Sequence, residues 1–359
     1  MSLNLTVDQN IPLASEAFSP FGQVMLVPGR EISRDMLLQA DALIVRSVTK
    51  VNRALLEGTP VRFVGTATIG TDHIDLDYLR EAGIAFANAE GSNARSVVEW
   101  VFAALTEYCV DRGIDWEGMT LGIVGHGNIG GRLGVRARGL GMKVLVNDPP
   151  LAREEEEHDF VSLEEILERS DVVTLHVPLT HDGQDPTFHL IGREELNRMR
   201  PGTLLINASR GPVVDNEAAL AAPREITLIL DVFEGEPCPN RDLVRRCFLA
   251  TPHIAGYSYE GKVNGTQMMA LALSRFAGTH SVWTPKLPPP PENRFHLNNT
   301  EAMPAIAQAI RQSYDIRSDD YRLREGLDYS EEDWARHFDA LRKHYPKRRE
   351  FANYKVLDS

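Results

Sequence analysis

The sequence predicts an α/β protein built on a doubly wound parallel sheet. Three observations predict it. Short apolar stretches alternate with helical ones through most of the chain, a glycine turn joins one apolar stretch to a helix, and a carboxylate closes the next stretch. The turn lies in residues 121–130, LGIVGHGNIG. In it Gly125 permits the tight turn, Gly127 lets the main chain approach a pyrophosphate, and Gly130 lets helix and strand pack closely, with Asn128 and Ile129 between them. Residues 143–147 form the next strand, and Asp148 follows it. A carboxylate at that distance accepts hydrogen bonds from ribose hydroxyls and repels a 2′-phosphate, so NAD is favoured over NADP.

Before the glycine turn, residues 5–7, 24–27, 42–45, 62–64 and 84–87 are candidate strands, with helices over 34–39 and 75–82. They make a small α/β domain of their own. Residues 93–112 present Val97, Val98, Val101, Ala104, Leu105 and Tyr108 on one helical face, which predicts a long connecting helix. After Asp148 the alternation resumes with strands over 172–177, 203–207, 228–231 and 248–251, and ligands are expected outside their C-terminal ends. The acidic run 154–157 reads as a solvated loop. The proline-rich stretch 285–291 reads as a stiff linker to a C-terminal unit of about seventy residues, a size at which partner contacts often supplement a small core.

The 359 residues are 43% hydrophobic and 25% charged, enough apolar material for two or three domains. A formal charge of −13 argues against nucleic acid or an anionic membrane as the main partner. An anionic substrate must then be met by a few placed arginines. The three cysteines, Cys109, Cys238 and Cys247, lack metal-ligand spacing and read as reduced thiols of a cytoplasmic protein. The first ten residues lack the basic and apolar regions of a secretory signal, and no stretch approaches the roughly 20 apolar residues that span a bilayer.

Three segments at strand ends carry the unusual chemistry: INASRGPVVD, LDVFEGEP and TPHIAGYS. In the first, the Arg210 guanidinium is suited to hold a carboxylate bidentately and polarise the neighbouring oxygen. His253, in the third, is the natural proton carrier, and Glu236, in the second, is suited to fix its tautomer. Each also has an ordinary explanation: Arg210 in a surface pair, Glu236 capping a loop, His253 structural beside a proline. Their coincidence along one sheet edge points to chemistry.

The segments GHGNIG, INASRGPVVD, DVFEGEP and TPHIAG together resemble the D-isomer-specific 2-hydroxyacid dehydrogenases. Adding VPGREI, ALIVRSVTKVN, FVGTATIGTDHID, HIAGYSYEGK and YDIRSDD extends the resemblance over nearly the whole chain, toward members that act on a phosphorylated 2-hydroxy acid. The resemblance implies a Rossmann NAD-binding domain over 95–257 and a smaller flavodoxin-like substrate domain over 1–94 and 258–284. It also implies a C-terminal dimerisation domain over 285–359, hence a homodimer. It makes Arg210 the substrate-orienting group, Glu236 the partner of the histidine and His253 the acid/base. Asp148, Val177, Ala208, Ser209, Arg210, Asp231 and Gly256 line NAD beside the glycine turn. Ser47, Thr68 and Tyr257 contact substrate, with the amides of Ile69 and Gly70 available to its carboxylate. Two departures stand out: Val177 replaces the family's usual threonine, and the segment 216–227 is short and interrupted by Pro223.

The implied reaction is hydride transfer from C2 of the acid to nicotinamide while His253 takes the hydroxyl proton, with no metal required. For the substrate phosphate, Arg46 is the first choice, since it follows the strand 42–45 with Ser47 beside it and Lys50 one short turn on. Its alternative is a surface ion pair. Arg348 and Arg349 in YPKRREF read as a solvated basic turn, with a reach across a dimer interface as the alternative. Two rival readings remain open: a dehydrogenase for a related acid such as 3-phosphoglycerate or hydroxypyruvate, and an NAD-sensing binding protein without turnover.

Overall fold

The computed structural model describes residues 2–154, 159–298 and 301–357, so residues 155–157 of the acidic run lie outside it. The chain folds as two compact units, Met1–Asn93 with Ser258–Pro289, and Ala94–Tyr257 with Pro290–Ser359.

The first unit holds a parallel sheet of β1 (Leu3–Asp8), β2 (Gly22–Val27), β3 (Ala42–Val45), β4 (Phe63–Thr66) and β5 (Ala85–Asn88) in the order β2-β1-β3-β4-β5. β3 and β4 are buried on both faces, which is why they read as unbroken apolar or small-residue runs. The strand order reverses between β1 and β3, so the crevice of this unit opens at their C-terminal ends. Asp75 starts the helix Leu76–Glu81 by accepting from the amide of Tyr78. The helix expected over 34–39 is instead a single 3₁₀ turn, Arg34–Leu37. Only Leu37 is buried there, while Met36 and Leu38 face solvent, so no apolar stripe stabilises further turns. The helix Tyr259–Phe276 returns to this unit and buries Met269, Ala270 and Leu273 in a cluster with Leu5, Ile44 and Phe63. Gly265 allows that approach, since a Cβ there would lie 2.9 Å from the carbonyl oxygen of Ala67.

The second unit holds β6 (Thr120–Val124), β7 (Lys143–Asn147), β8 (Val172–Leu175), β9 (Leu204–Asn207), β10 (Thr227–Leu230) and β11 (Leu249–Ala250). They run parallel in the order β11-β10-β9-β8-β6-β7, which reverses between β6 and β8. The connecting helix spans Ala94–Arg112 and is buried well beyond its apolar face, taking Glu99 and Glu107 inside with it. In the short segment 216–227, Asp215 caps the helix Asn216–Leu220, which ends before Pro223. Arg246 donates to the carbonyls of Pro223 and Ile226, closing the bend directly before β10.

The C-terminal residues contribute the helices Ala302–Ser313, Ile316–Arg324 and Glu331–Lys343 and the parallel pair β12 (Arg294–His296) and β13 (Lys355–Leu357). Their apolar side chains join the core of the second unit. Ile310, Tyr314 and Ile316 cluster with the connecting helix, while Leu323, Trp334 and Phe338 cluster with Val244 and Cys247. Each such large side chain, fully buried, contributes about 2–3 kcal/mol of hydrophobic stabilisation. Among the described residues no helix is long and apolar enough to cross a membrane.

Candidate active site

The glycine turn leaves β6 with Gly125 at φ 93°, a conformation that favours glycine, and a Cβ there would lie 2.5 Å from the carbonyl oxygen of His176. At Gly130 a Cβ would lie 1.9 Å from the carbonyl oxygen of Gly125, so helix Gly130–Gly139 packs this closely only without one. Gly127 is different. A Cβ there would meet nothing within 4 Å, which leaves the open approach that a pyrophosphate requires. Asp148, after β7, accepts from the amide of His126 at 2.7 Å and from that of Leu151 at 3.1 Å, so its carboxylate is fastened beside the turn. Val177 supports the turn from below: its Cγ1 would lie 3.0 Å from a Cβ on Gly125. These features fit a bound dinucleotide, held by the turn and its helix N-terminus with Asp148 at the ribose end.

Because β9, β10 and β11 are successive neighbours, the loops that follow them lie side by side. After β9, the fully buried Asn207 accepts from the amide and hydroxyl of Ser209 and donates to the carbonyl of Arg210 at 2.9 Å. One side chain therefore shapes the whole Ala208–Arg210 loop. After β10, Asp231 is buried and accepts from the Thr251 hydroxyl and from the amides of Ile254 and Ala255. Its carboxylate organises the loop after β11, and burial raises its pKa against those hydrogen bonds. That loop holds His253 at φ 56°, a left-handed conformation costly for a residue with a Cβ, fixed by amide donation to the Asp231 carbonyl at 2.7 Å.

The imidazole of His253 meets Glu236 at 2.7 Å through Nδ1, which leaves Nε2 as its other polar atom. The Glu236 side chain is 18% exposed and the imidazole 32%, so the pair is sheltered yet reachable. Burial alone would raise the Glu236 carboxyl, but the His253 charge and hydrogen bonds from His253 and the Phe233 amide hold it below its ordinary value. Gly256 and Tyr257 follow on the same loop, with the Tyr257 ring edge-on to Tyr345 at 5.8 Å.

The residues expected of the first unit all lie at C-terminal strand ends. Arg46 and Ser47 follow β3, and the Arg46 guanidinium reaches the carbonyl of Asn10 at 3.4 Å. Lys50 is exposed nearby in sequence. Thr68, Ile69 and Gly70 follow β4, where the Thr68 hydroxyl meets Thr66 at 2.7 Å and Asn88 donates to the Ile69 carbonyl. Sequence reasoning passed over Asn207, Thr251 and Asn88, which shape these loops. The available signal was a polar residue ending or directly following an apolar strand. It also misjudged the basic turn. Arg348 and Arg349 are buried, at 8% and 7% exposure, and Arg348 donates to the carbonyls of Ser96 and Ala255 within its own unit. Packing against Tyr314, at 4.4 Å, gives that guanidinium an apolar face that charge alone did not announce.

A sheet with a dinucleotide turn, an arginine and a histidine–carboxylate pair along one edge defines the class of nicotinamide-dependent dehydrogenases. Residues 92–255 match the NAD binding domain of the D-isomer specific 2-hydroxyacid dehydrogenases, and residues 286–359 match a domain of unknown function. The chain is 49% identical to the erythronate-4-phosphate dehydrogenase of Pseudomonas fluorescens (strain SBW25), over 98% of this chain and 94% of that one. With the erythronate-4-phosphate dehydrogenase of Azotobacter vinelandii it shares 48% identity, over 99% and 94%. Among solved structures, NAD+-bound 3-phosphoglycerate dehydrogenase of Entamoeba histolytica superposes with a TM-score of 0.65 at 25% identity, covering 80% of this chain and 99% of that one. The Aquifex aeolicus D-lactate dehydrogenase complexed with NAD and lactic acid gives 0.61 at 26%, covering 77% and 95%. The chain belongs to the erythronate-4-phosphate dehydrogenases, a family of the D-isomer-specific 2-hydroxyacid dehydrogenases.

Proposed function

We propose that the chain oxidises 4-phospho-D-erythronate to 2-oxo-3-hydroxy-4-phosphobutanoate with NAD, as a step toward pyridoxal 5′-phosphate. The observation that carries this reading is the His253–Glu236 pair at 2.7 Å, on the loops of the next two strands after that of Arg210, in a chain nearly half identical to enzymes of that name. Bound NAD supplies the acceptor for the hydride that leaves C2. With Nδ1 turned to Glu236, His253 takes the C2 hydroxyl proton on Nε2, and Glu236 stabilises the resulting imidazolium. Arg210 holds the carboxylate and the C2 oxygen as charge builds there. The turn of Gly125, Gly127, Asn128, Ile129 and Gly130 holds the pyrophosphate, and Asp148 the ribose hydroxyls. Val177, Ala208, Ser209, Asp231 and Gly256 complete the cofactor's lining.

Ser47, Thr68, Ile69, Gly70 and Tyr257 bind the substrate, and Arg46 binds its phosphate. The active form is a homodimer in the cytoplasm, a reducing compartment that suits three free cysteines. Comparing kcat/KM for 4-phosphoerythronate, unphosphorylated erythronate, 3-phosphoglycerate and hydroxypyruvate tests the reading. The phosphorylated four-carbon acid should lead in the parent, and Arg46→Ala should lower its kcat/KM by about tenfold or more while sparing erythronate. Preference for another acid would overturn the substrate assignment. Negligible turnover with all four would favour an NAD-sensing role, and equal losses for both erythronates would move the phosphate site elsewhere.

A further inference from the structure

The loops that carry Glu236 and His253 are held by the C-terminal segment of the same chain. Trp334, fully buried on the helix Glu331–Lys343, donates its indole N–H to the carbonyl of Pro239 at 2.9 Å, three residues beyond Glu236. Asp320 accepts from the amide of Ala250 at 2.8 Å, and Arg348 donates to the carbonyl of Ala255 at 2.6 Å, so both flanks of the His253 loop are tied down. Tyr345 lies edge-on to Tyr257.

Between these ties, in the last turn of the same helix, stands Arg342. Its guanidinium packs on the Phe338 ring at 5.9 Å, with Tyr257 and Glu236 as its nearest polar and acidic neighbours. Its Nε is buried without a hydrogen-bond partner among the described residues. A partly buried cation is costly unless nearby negative charge or polar groups compensate it, and here those groups belong to the expected active site.

We propose that the C-terminal domain braces the proton-transfer pair, and that Arg342 is a positioning residue that orients Tyr257 and supplies the positive charge facing Glu236. This rests on the reading of His253 and Glu236 as that pair. Glu236 faces His253 and Arg342, His253 faces Glu236 and Asp231, and Arg342 faces Tyr257, Glu236 and Asp339. Arg342 is the fixed positive charge of this set. Removing it makes the His253–Glu236 pair hold its proton more tightly. Oxidation needs His253 unprotonated, so the acid limb of kcat/KM must then move to higher pH.

The test is the pH profile of kcat/KM for NAD-dependent oxidation of 4-phosphoerythronate in the parent, Arg342→Met, Arg342→Lys and His253→Ala, with thermal unfolding and NAD affinity measured alongside. Arg342→Met should shift the acid limb up by about one unit, a tenfold loss on that limb, with NAD affinity unchanged. Arg342→Lys keeps the charge and loses the planar guanidinium, so it should keep the parental limb and raise KM. An acid limb unmoved in Arg342→Met would leave Arg342 a purely structural residue and overturn the inference. Should that variant not fold, Arg342→Gln takes its place as the neutral variant, with the same shift expected and an unmoved limb again overturning the inference. His253→Ala separates the two ideas. Parental turnover there refutes the proton-transfer reading itself, whereas lost turnover beside an unmoved Arg342→Met profile refutes only the role of Arg342.

Discussion

At the scale of single residues, the placement of two glutamates two positions apart shows what sequence could and could not say. Both Glu234 and Glu236 find a histidine: Glu236 meets His253, and Glu234 meets His189 at 2.6 Å. The motif DVFEGEP contains both; the family resemblance pointed Glu236 at His253, and only the path of the loop after β10 gives Glu234 a histidine of its own. Asp148 was more legible, because a carboxylate directly after the second strand has one geometric destination, beside the glycine turn. In the proposed role, Asp148→Ala removes both the acceptor for ribose hydroxyls and the charge that repels a 2′-phosphate. The ratio of kcat/KM for NAD to that for NADP should fall by about tenfold or more. A parent enzyme that already prefers NADP would contradict the assignment. The same substitution also frees the amide of His126, so some loss of NAD affinity should accompany the change.

At the scale of elements, the connecting helix Ala94–Arg112 carries two buried carboxylates with opposite behaviour. Burial alone would raise Glu107, but hydrogen bonds and charge from Arg311 and Arg317 of the C-terminal segment hold it below its ordinary value. For Glu99 the Phe351 amide and the charges of Arg348 and Arg95 compensate too little. Burial and the neighbouring Glu350 push it up to about 8. A depressed carboxyl adds stability that is present above the ordinary carboxylate range and lost as pH falls through its folded value. A raised one makes stability fall as pH rises from the ordinary range to about 8. Glu107→Gln should therefore cost about 1–3 kcal/mol near neutrality, a figure kept low because both arginines are partly exposed, and the deficit should shrink in acid. Glu99→Gln should instead remove the decline between the ordinary range and pH 8. Denaturant titrations at several pH values read both, and parallel curves for parent and variants would refute the pairing scheme. The helical periodicity announced this helix, but a single apolar face did not announce that its polar positions are covered too.

At the scale of the whole molecule, the C-terminal domain has more than one claim on its surface. Its large apolar residues Leu323, Trp334 and Phe338 are committed to the second unit, so deleting it would strip Val244 and Cys247 of cover as well as any partner contact. What it leaves outward includes Tyr321 at 66% exposure, Tyr329 at 46% and Val356 at 49%, the last on a strand of the two-stranded pair β12–β13. An isolated pair of strands is marginal in water, which suits a surface completed by a second copy. Light scattering on the intact chain should give twice the mass of one chain, and a monomer mass at assay concentration would count against the homodimer. Deletion is the weaker test, because loss of fold and loss of partner would coincide.

The strands of both parallel sheets, the glycine turn, and the positions of Asp148, Arg210, Glu236 and His253 after strands were legible in the sequence. Each depends on local spacing: apolar runs bounded by turns, glycines where a Cβ would strike main chain, and chemistry-bearing residues directly after strands. Tertiary structure alone decided that Glu234 meets His189, that Arg348 is buried, and that Arg342 faces Glu236 from about a hundred residues away. The physical reason is the same in each case. Long polar side chains take their environment from whatever packs over them, and a buried arginine and a solvated one are spelled alike until the chain has closed.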